Sequence, residues 1–225
     1  MNRKLILLGT TIACALRAHA AFADTQTYPA AGVKILRLDQ NEGYVHITGI
    51  NNDEIKITIT KTKGGDKCTA EVKPNDDGAF IVRTKHTILR SLTCDFEIAL
   101  VIPQNLAIEG KVGSSKIELA GVRGPLNLDV GAGQVLGNLA SSNAHISVSS
   151  GKILLMWTEK PEAGVLDLSV AAGKMELQFP KDTVINMALK KGIGKLTNDL
   201  TTNRNAPLTV KGTLGVGSIT LKQAQ

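Results

Sequence analysis

The feature that most restricts this chain is a strand–corner–strand unit that recurs through its second half. Leu126-Asn-Leu-Asp-Val alternates, passes through Gly131-Ala-Gly133, and runs on to Val135 and Leu136. Ile146-Ser-Val-Ser-Ser-Gly151-Lys-Ile153 repeats the pattern, as does Leu166-Asp-Leu-Ser-Val-Ala-Ala-Gly173-Lys-Met175. Weaker copies carry Gly113-Ser-Ser115, Gly192-Ile-Gly194 and Gly215-Val-Gly217. The corners end at 115, 133, 151, 173, 194 and 217, so successive copies are 18, 18, 22, 21 and 23 residues apart. A repeat of roughly 20 residues with two short strands buries too little to stand alone, but stacked copies share one interior.

The expected fold is therefore all-β, a β-solenoid of parallel β-helix type. The Leu, Val, Ile and Met of each alternation point inward and the Asn, Asp, Ser, Lys and Glu outward. Small corner residues permit φ > 0 or close backbone approach, and 15 of the 22 glycines lie after residue 105. An antiparallel β-sandwich with glycine-rich hairpins is the alternative that the same alternation allows.

Ahead of the repeats, Val33 to Ile102 reads as short alternating strands bounded by Asn/Asp/Gly turns, closing on Phe96-Glu-Ile-Ala-Leu-Val-Ile-Pro103. Residues 1–23 have the form of a secretory signal peptide. Arg3 and Lys4 precede an apolar run from Leu5 to Leu16, and Ala21-Phe-Ala23 offers a small-x-small cleavage site before Asp24. Cys14 raises the question of lipidation, but it lies inside the apolar run, not at its end. The chain thus divides into a leader (1–23), a strand-rich part (24–105) and a repeat part (106–225), the last two continuous as one domain. No further apolar run is long enough for a transmembrane helix.

Removing the leader takes away Arg3, Lys4 and Arg17 and no acid. From 26 basic and 20 acidic residues this leaves 23 and 20, so the formal charge falls from +6 to +3. That balance, with four Phe, two Tyr and one Trp, argues against a nucleic-acid partner. In an oxidising compartment the remaining Cys68 and Cys94 are expected to form a disulfide worth ~3–4 kcal/mol. The expected location is outside the cytoplasm, in the periplasm or on the surface of a bacterium.

No motif in the chain points to a cofactor or a metal. Val130-Gly-Ala-Gly-Gln-Val-Leu-Gly137 has one residue too many for a dinucleotide turn and no helix after it. Ser149-x-x-Lys152 copies the serine–lysine spacing of penicillin-recognising enzymes, which works on a helix rather than a strand. His46, His86 and His145 have no partner at ligand spacing. Asp129 and Asp167 fall between repeated apolar residues and become neighbours if their coils stack in that register; paired carboxylates there would serve acid–base chemistry or hold a cation. Lys190 and Lys191, with Lys181 and Lys195, make a basic cluster suited to an anionic envelope polymer. Trp157, the single indole, is a candidate surface contact or the cover of a coil end.

The leader, the strand-rich region ending at Pro103 and the repeated Gly-x-Gly or Ser-x-Gly corners resemble the "putative adhesin" or toastrack domains of bacterial envelope proteins. That resemblance implies a non-enzymatic β-repeat module serving interaction or structure in the envelope. The alternatives are a surface adhesin for host or neighbouring-cell material and, further off, a β-helix carbohydrate-active enzyme.

Overall fold

A computed structural model describes residues 23–64, 68–86 and 94–224. The expected leader and Cys14 lie outside them, except Ala23, which begins the first strand. The described residues form one sheet system of thirteen strands with no helix. In chain order these are β1 (Ala23–Pro29), β2 (Ile35–Ile50), β3 (Glu54–Lys63), β4 (Cys68–Pro74), β5 (Ala79–His86) and β6 (Asp95–Pro103). Then follow β7 (Ala107–Val122), β8 (Leu126–Leu139), β9 (Ala144–Trp157), β10 (Gly164–Phe179), β11 (Val184–Asn198), β12 (Thr201–Thr202) and β13 (Leu208–Gln223).

Each long strand is one coil, bent at its small-residue corner. Burial shows the bend directly. In β7 the inward residues before the corner are Ile108, Gly110 and Val112, and after it Ser115, Ile117 and Leu119. The parity of the alternation changes once, so the apolar faces of both arms look onto one interior. The same switch separates Leu126, Leu128 and Val130 from Val135 in β8, and Leu166, Leu168 and Val170 from Met175 and Leu177 in β10.

Coils stack in parallel, in register, so like residues form columns. Val45, Ile117, Val135, Ile153, Met175, Ile219 and Leu196 make one inward column. Gly43, Ser115, Gly133, Gly151, Gly173, Gly217 and Gly194 make the column at the bend. Parallel pairing from β2 through β11 excludes the sandwich for this part of the chain. Two features go beyond the expected repeat. The stack begins with β2, well before residue 106, because Gly43 lies opposite Ser115.

The stack also departs from chain order at its far end. β13 lies between β10 and β11, giving the order β2-β7-β8-β9-β10-β13-β11. The inward positions explain this. β13 offers Leu208, Val210, Leu214, Ile219 and Leu221, all buried. In β11 the position matching Leu214 is Lys191, and the one matching Leu221 is Asn198. Between two coils, both would be buried polar groups without partners. At the end of the stack Lys191 reaches solvent, while the Asn198 side chain caps the turn, donating to the Leu200 carbonyl (3.1 Å) and accepting from the Leu200 N–H (3.1 Å).

At the opposite end β6 and β5 pair with β2 in parallel, each along one half of it. Two arms run on from them antiparallel, β3 and β1 beyond β6 and β4 beyond β5. Cys68 of β4 and Cys94, just before β6, form a disulfide with Cα atoms 5.7 Å apart, the separation a relaxed bridge requires. Their loop encloses residues on both arms, so the bridge ties the arms together where no bent coil does.

Candidate functional site

Among the described residues, the outward faces divide into a charge-compensated half and an uncompensated end. Along one arm Glu71, Arg83, Asp39, Lys111 and Asp129 are successive cross-strand neighbours of alternating sign. Arg83 pairs with Asp39 at 2.7 Å, and Arg37 with Asp77 at 2.7 Å and Glu109 at 3.1 Å. Lys73 (2.8 Å) and Lys85 hold the Glu71 carboxyl down to about 2 through hydrogen bonds. A hollow of about 410 Å³ beside this ladder is lined by Asp39, Lys111, Asp129, Ser147 and Ser149. Its acids are separated by Lys111.

Asp129 and Asp167 are not neighbours, contrary to the expectation from their shared place between apolar residues. The register sets Leu126 in the column of Leu166, so Asp129 shares a column with Ser147 and Ser169. Asp167 stands two residues away along the strand, against His145 (3.5 Å) and Lys211 (3.4 Å). Four residues on the other arm bring an acid, an imidazole and two hydroxyls together. Thr48 Oγ1 is 3.1 Å from His46 Nε2, and His46 Nδ1 is 3.5 Å from Glu118, which also accepts from the Tyr44 hydroxyl. Burial first, and then the hydrogen bond to Glu118, push the Tyr44 phenol up to about 12. Lys116 at 2.5 Å, followed by Tyr44, holds the Glu118 carboxyl below its ordinary range. The group lies on a flat face where β2 is paired on both sides, by β6 and β7. The strand N–H groups that would receive an oxyanion are thus committed to the ladder.

Trp157 is not a surface contact. It is 1% exposed, in the inward column Leu139–Trp157 continued by Phe179. Its ring stacks on Phe179 with centroids 4.4 Å apart, and its indole N–H donates to the Ser141 carbonyl at 2.8 Å. The alternation Ile153-x-Leu155-x-Trp157 places it inside, as the strand period requires.

Lys190 and Lys191 stand at the bend of β11, where exposure is concentrated. Residues 190–195 are all exposed, and Ile193 (76%) lies beside Val216 (52%) of β13. Lys195 completes this edge, whereas Lys181 sits in the turn after β10, at the far end of the strands. Neither β11 nor β13 contains an Asp or Glu; Lys211 and Lys222 of β13 pair across to Asp167 and Glu176 of β10, while Lys190, Lys191 and Lys195 of β11 stand in no ion pair among the described residues. From residue 184 to the end there are six basic residues and one acid, a balance of +5; from 24 to 183 there are 17 and 19, a balance of −2. The stack is electrically polar along its axis. That follows from the position of β13, which joins two acid-free coils at one end.

No protein-family model matches the sequence, and no curated protein matches it either. Solved structures do match in shape. A protein described as a putative cell adhesion protein from Clostridium sporogenes superposes with a TM-score of 0.52 at 13% identity, over 91% of this chain and 100% of that one. The two share a fold. A putative adhesin from Bacteroides fragilis (14% identity, TM-score 0.38, 90% and 97% covered) and a putative lipid binding protein from Parabacteroides distasonis (11%, 0.38, 90% and 97%) superpose less well. The fold comparison rests on the first.

Proposed function

We propose that the protein is an exported, non-catalytic β-solenoid that serves as an interaction module in the bacterial envelope. The observation that carries this reading is the exposed, acid-free last coil, β11, whose Lys190, Lys191 and Lys195 stand in no ion pair among the described residues, set against strands whose outward charges pair across the sheet. Surface of one sign attracts partners of the other and raises encounter rates. The Cys68–Cys94 bridge supports an oxidising compartment. No helix among the described residues is long and apolar enough to cross a membrane, and the fold is shared with a presumed adhesion protein. The alternative role, adhesion to host or neighbouring-cell material, draws on the same fold comparison.

Expression with the native N-terminus in a Gram-negative host tests this. The recovered protein should begin at Asp24, lie outside the cytoplasm, and give a discrete higher-mass adduct when intact cells are cross-linked. An unprocessed cytoplasmic chain overturns export, and a processed chain with no adduct overturns the interaction role. Digestion by protease added to intact cells favours the adhesin alternative.

A further inference from the structure

We propose that the outer edge of β11 is a strand-addition site that takes an extended acidic segment of a partner protein. This inference rests on the interaction-module reading and names where, and with what, the contact is made. From Asn186 to Asn198, β11 pairs on one side with β13, and its other side faces no strand among the described residues. β12 covers Val184 and Ile185 alone, and buried Leu200 closes the same end of the coil. Burial falls away from that cap toward the bend. Ile185 is buried, Met187 and Leu189 are half-buried, and Lys190 to Lys195 are exposed. The coil is capped at one end and open at the other.

An unpaired strand edge is a template for another strand, and the side chains along this one say which. Met187 continues the inward column of Leu166 and Val210, Leu189 that of Leu168, and Leu196 that of Met175 and Ile219. An added strand that bends with β11 would cover all three, with apolar residues opposite Met187 and Leu189 and, after the change of parity at the bend, opposite Leu196. Outward, Lys190 follows Ser169 and Thr213, and Lys195 follows Lys174 and Ser218. Opposite these ammonium groups, acids on the added strand are favoured cross-strand neighbours and bases are not. Lys191, at the inward position matching Leu214, can be covered only if an acid faces it too. The occupant is therefore a bent segment with apolar residues opposite Met187, Leu189 and Leu196 and Asp or Glu opposite Lys190, Lys191 and Lys195.

A second copy of the chain does not fit. Two β11 edges would set lysines against lysines, the charge arrangement by which natural edges resist self-pairing. The opposite end of the stack offers β4, whose Glu71 is already held by Lys73 and Lys85, and β1, whose seven residues carry one acid, Asp24.

The test uses the mature protein and two labelled peptides of about twelve residues, matched to the span of β11. One places valine opposite Met187, Leu189 and Leu196, glutamate opposite Lys190, Lys191 and Lys195 and glycine or serine elsewhere, and the other has lysine in place of each glutamate. The glutamate peptide should bind saturably, weaken with added salt, and slow amide exchange in residues 186–198. K190E/K191E/K195E, whose changes are all at exposed positions and should leave the melting curve in place, should weaken that binding about tenfold or more and now bind the lysine peptide. Absent binding, unchanged affinity in the triple variant, or binding without new protection in β11 each overturns the proposal. So does capture of the wild type by anionic lipid vesicles when the peptide does not bind. If the cellular adduct persists in the triple variant, the module reading stands and the contact lies elsewhere.

Discussion

Replacing Gly151 with alanine isolates the constraint that holds the coils in register. Gly151 has φ of 141°, a region almost closed to residues with a Cβ. A Cβ built there would also collide with the carbonyl of Gly133 on the coil before it, and lies only 3.1 Å from the Gly133 nitrogen. The strain alone costs about 1–3 kcal/mol. Moving a packed backbone to relieve the collision costs a further ~1–3 kcal/mol, about 2–6 kcal/mol in all. Two other glycines separate these terms. Gly32, at φ 81° with nothing within 4 Å of a built Cβ, should cost only the conformational part, about 1–2 kcal/mol. Gly131 has no positive φ, and its built Cβ lies 3.0 Å from the Gly113 oxygen; there alanine's gain through the unfolded chain, ~0.4–1 kcal/mol, largely offsets the tight contact. In urea, with slopes near 2–3 kcal/mol per molar, Gly151→Ala should lower the midpoint by about 0.7–3 M. Ser147→Val, at an outward position, should stay within about 0.5 kcal/mol. A Gly151→Ala midpoint equal to that of Gly131→Ala would refute the reasoning, because the bend would then not depend on backbone contact between coils.

Trp157→Ala should destabilise by about 3–5 kcal/mol. Trp157→Phe should cost less but measurably, since the buried Ser141 carbonyl loses its donor; urea melts followed by circular dichroism report both. Intact mass without reductant should show the mature chain two hydrogens light, and reduction should lower stability by ~3–4 kcal/mol; two alkylatable thiols in exported protein would contradict the bridge. The Tyr44 phenol should titrate at about 12 in ultraviolet absorbance. Glu118→Gln should lower that value without restoring the ordinary one, because burial is the larger cause. Since the folded value lies above the unfolded one of about 10, this contribution is fully present below pH 10 and is lost as pH rises through 12.

Sequence alone determined the class of fold, because stacked coils impose a local rule. Apolar alternation on both sides of a small-residue bend is what each coil needs whatever its neighbours, so it is visible at Gly133, Gly151 and Gly173 without coordinates. Trp157 obeys the same rule through Ile153 and Leu155, and its parity decides between the two places expected for it, surface contact and cover of a coil, in favour of the interior. Register and order were decided only in the tertiary structure. Asp129 and Asp167 occupy similar places in their repeats, yet alignment of Leu126 with Leu166 holds them two residues apart. The exchange of β11 and β13 had two sequence signs, Lys191 where β7 to β10 and β13 carry Val or Leu, and Asn198 opposite Leu221, and these have meaning only once the columns are known. A lysine there cannot be enclosed between two coils that offer it no acid, so its strand becomes the end of the stack. The acid-free coils then fall side by side, and the site is an outcome of stacking that no single repeat contains.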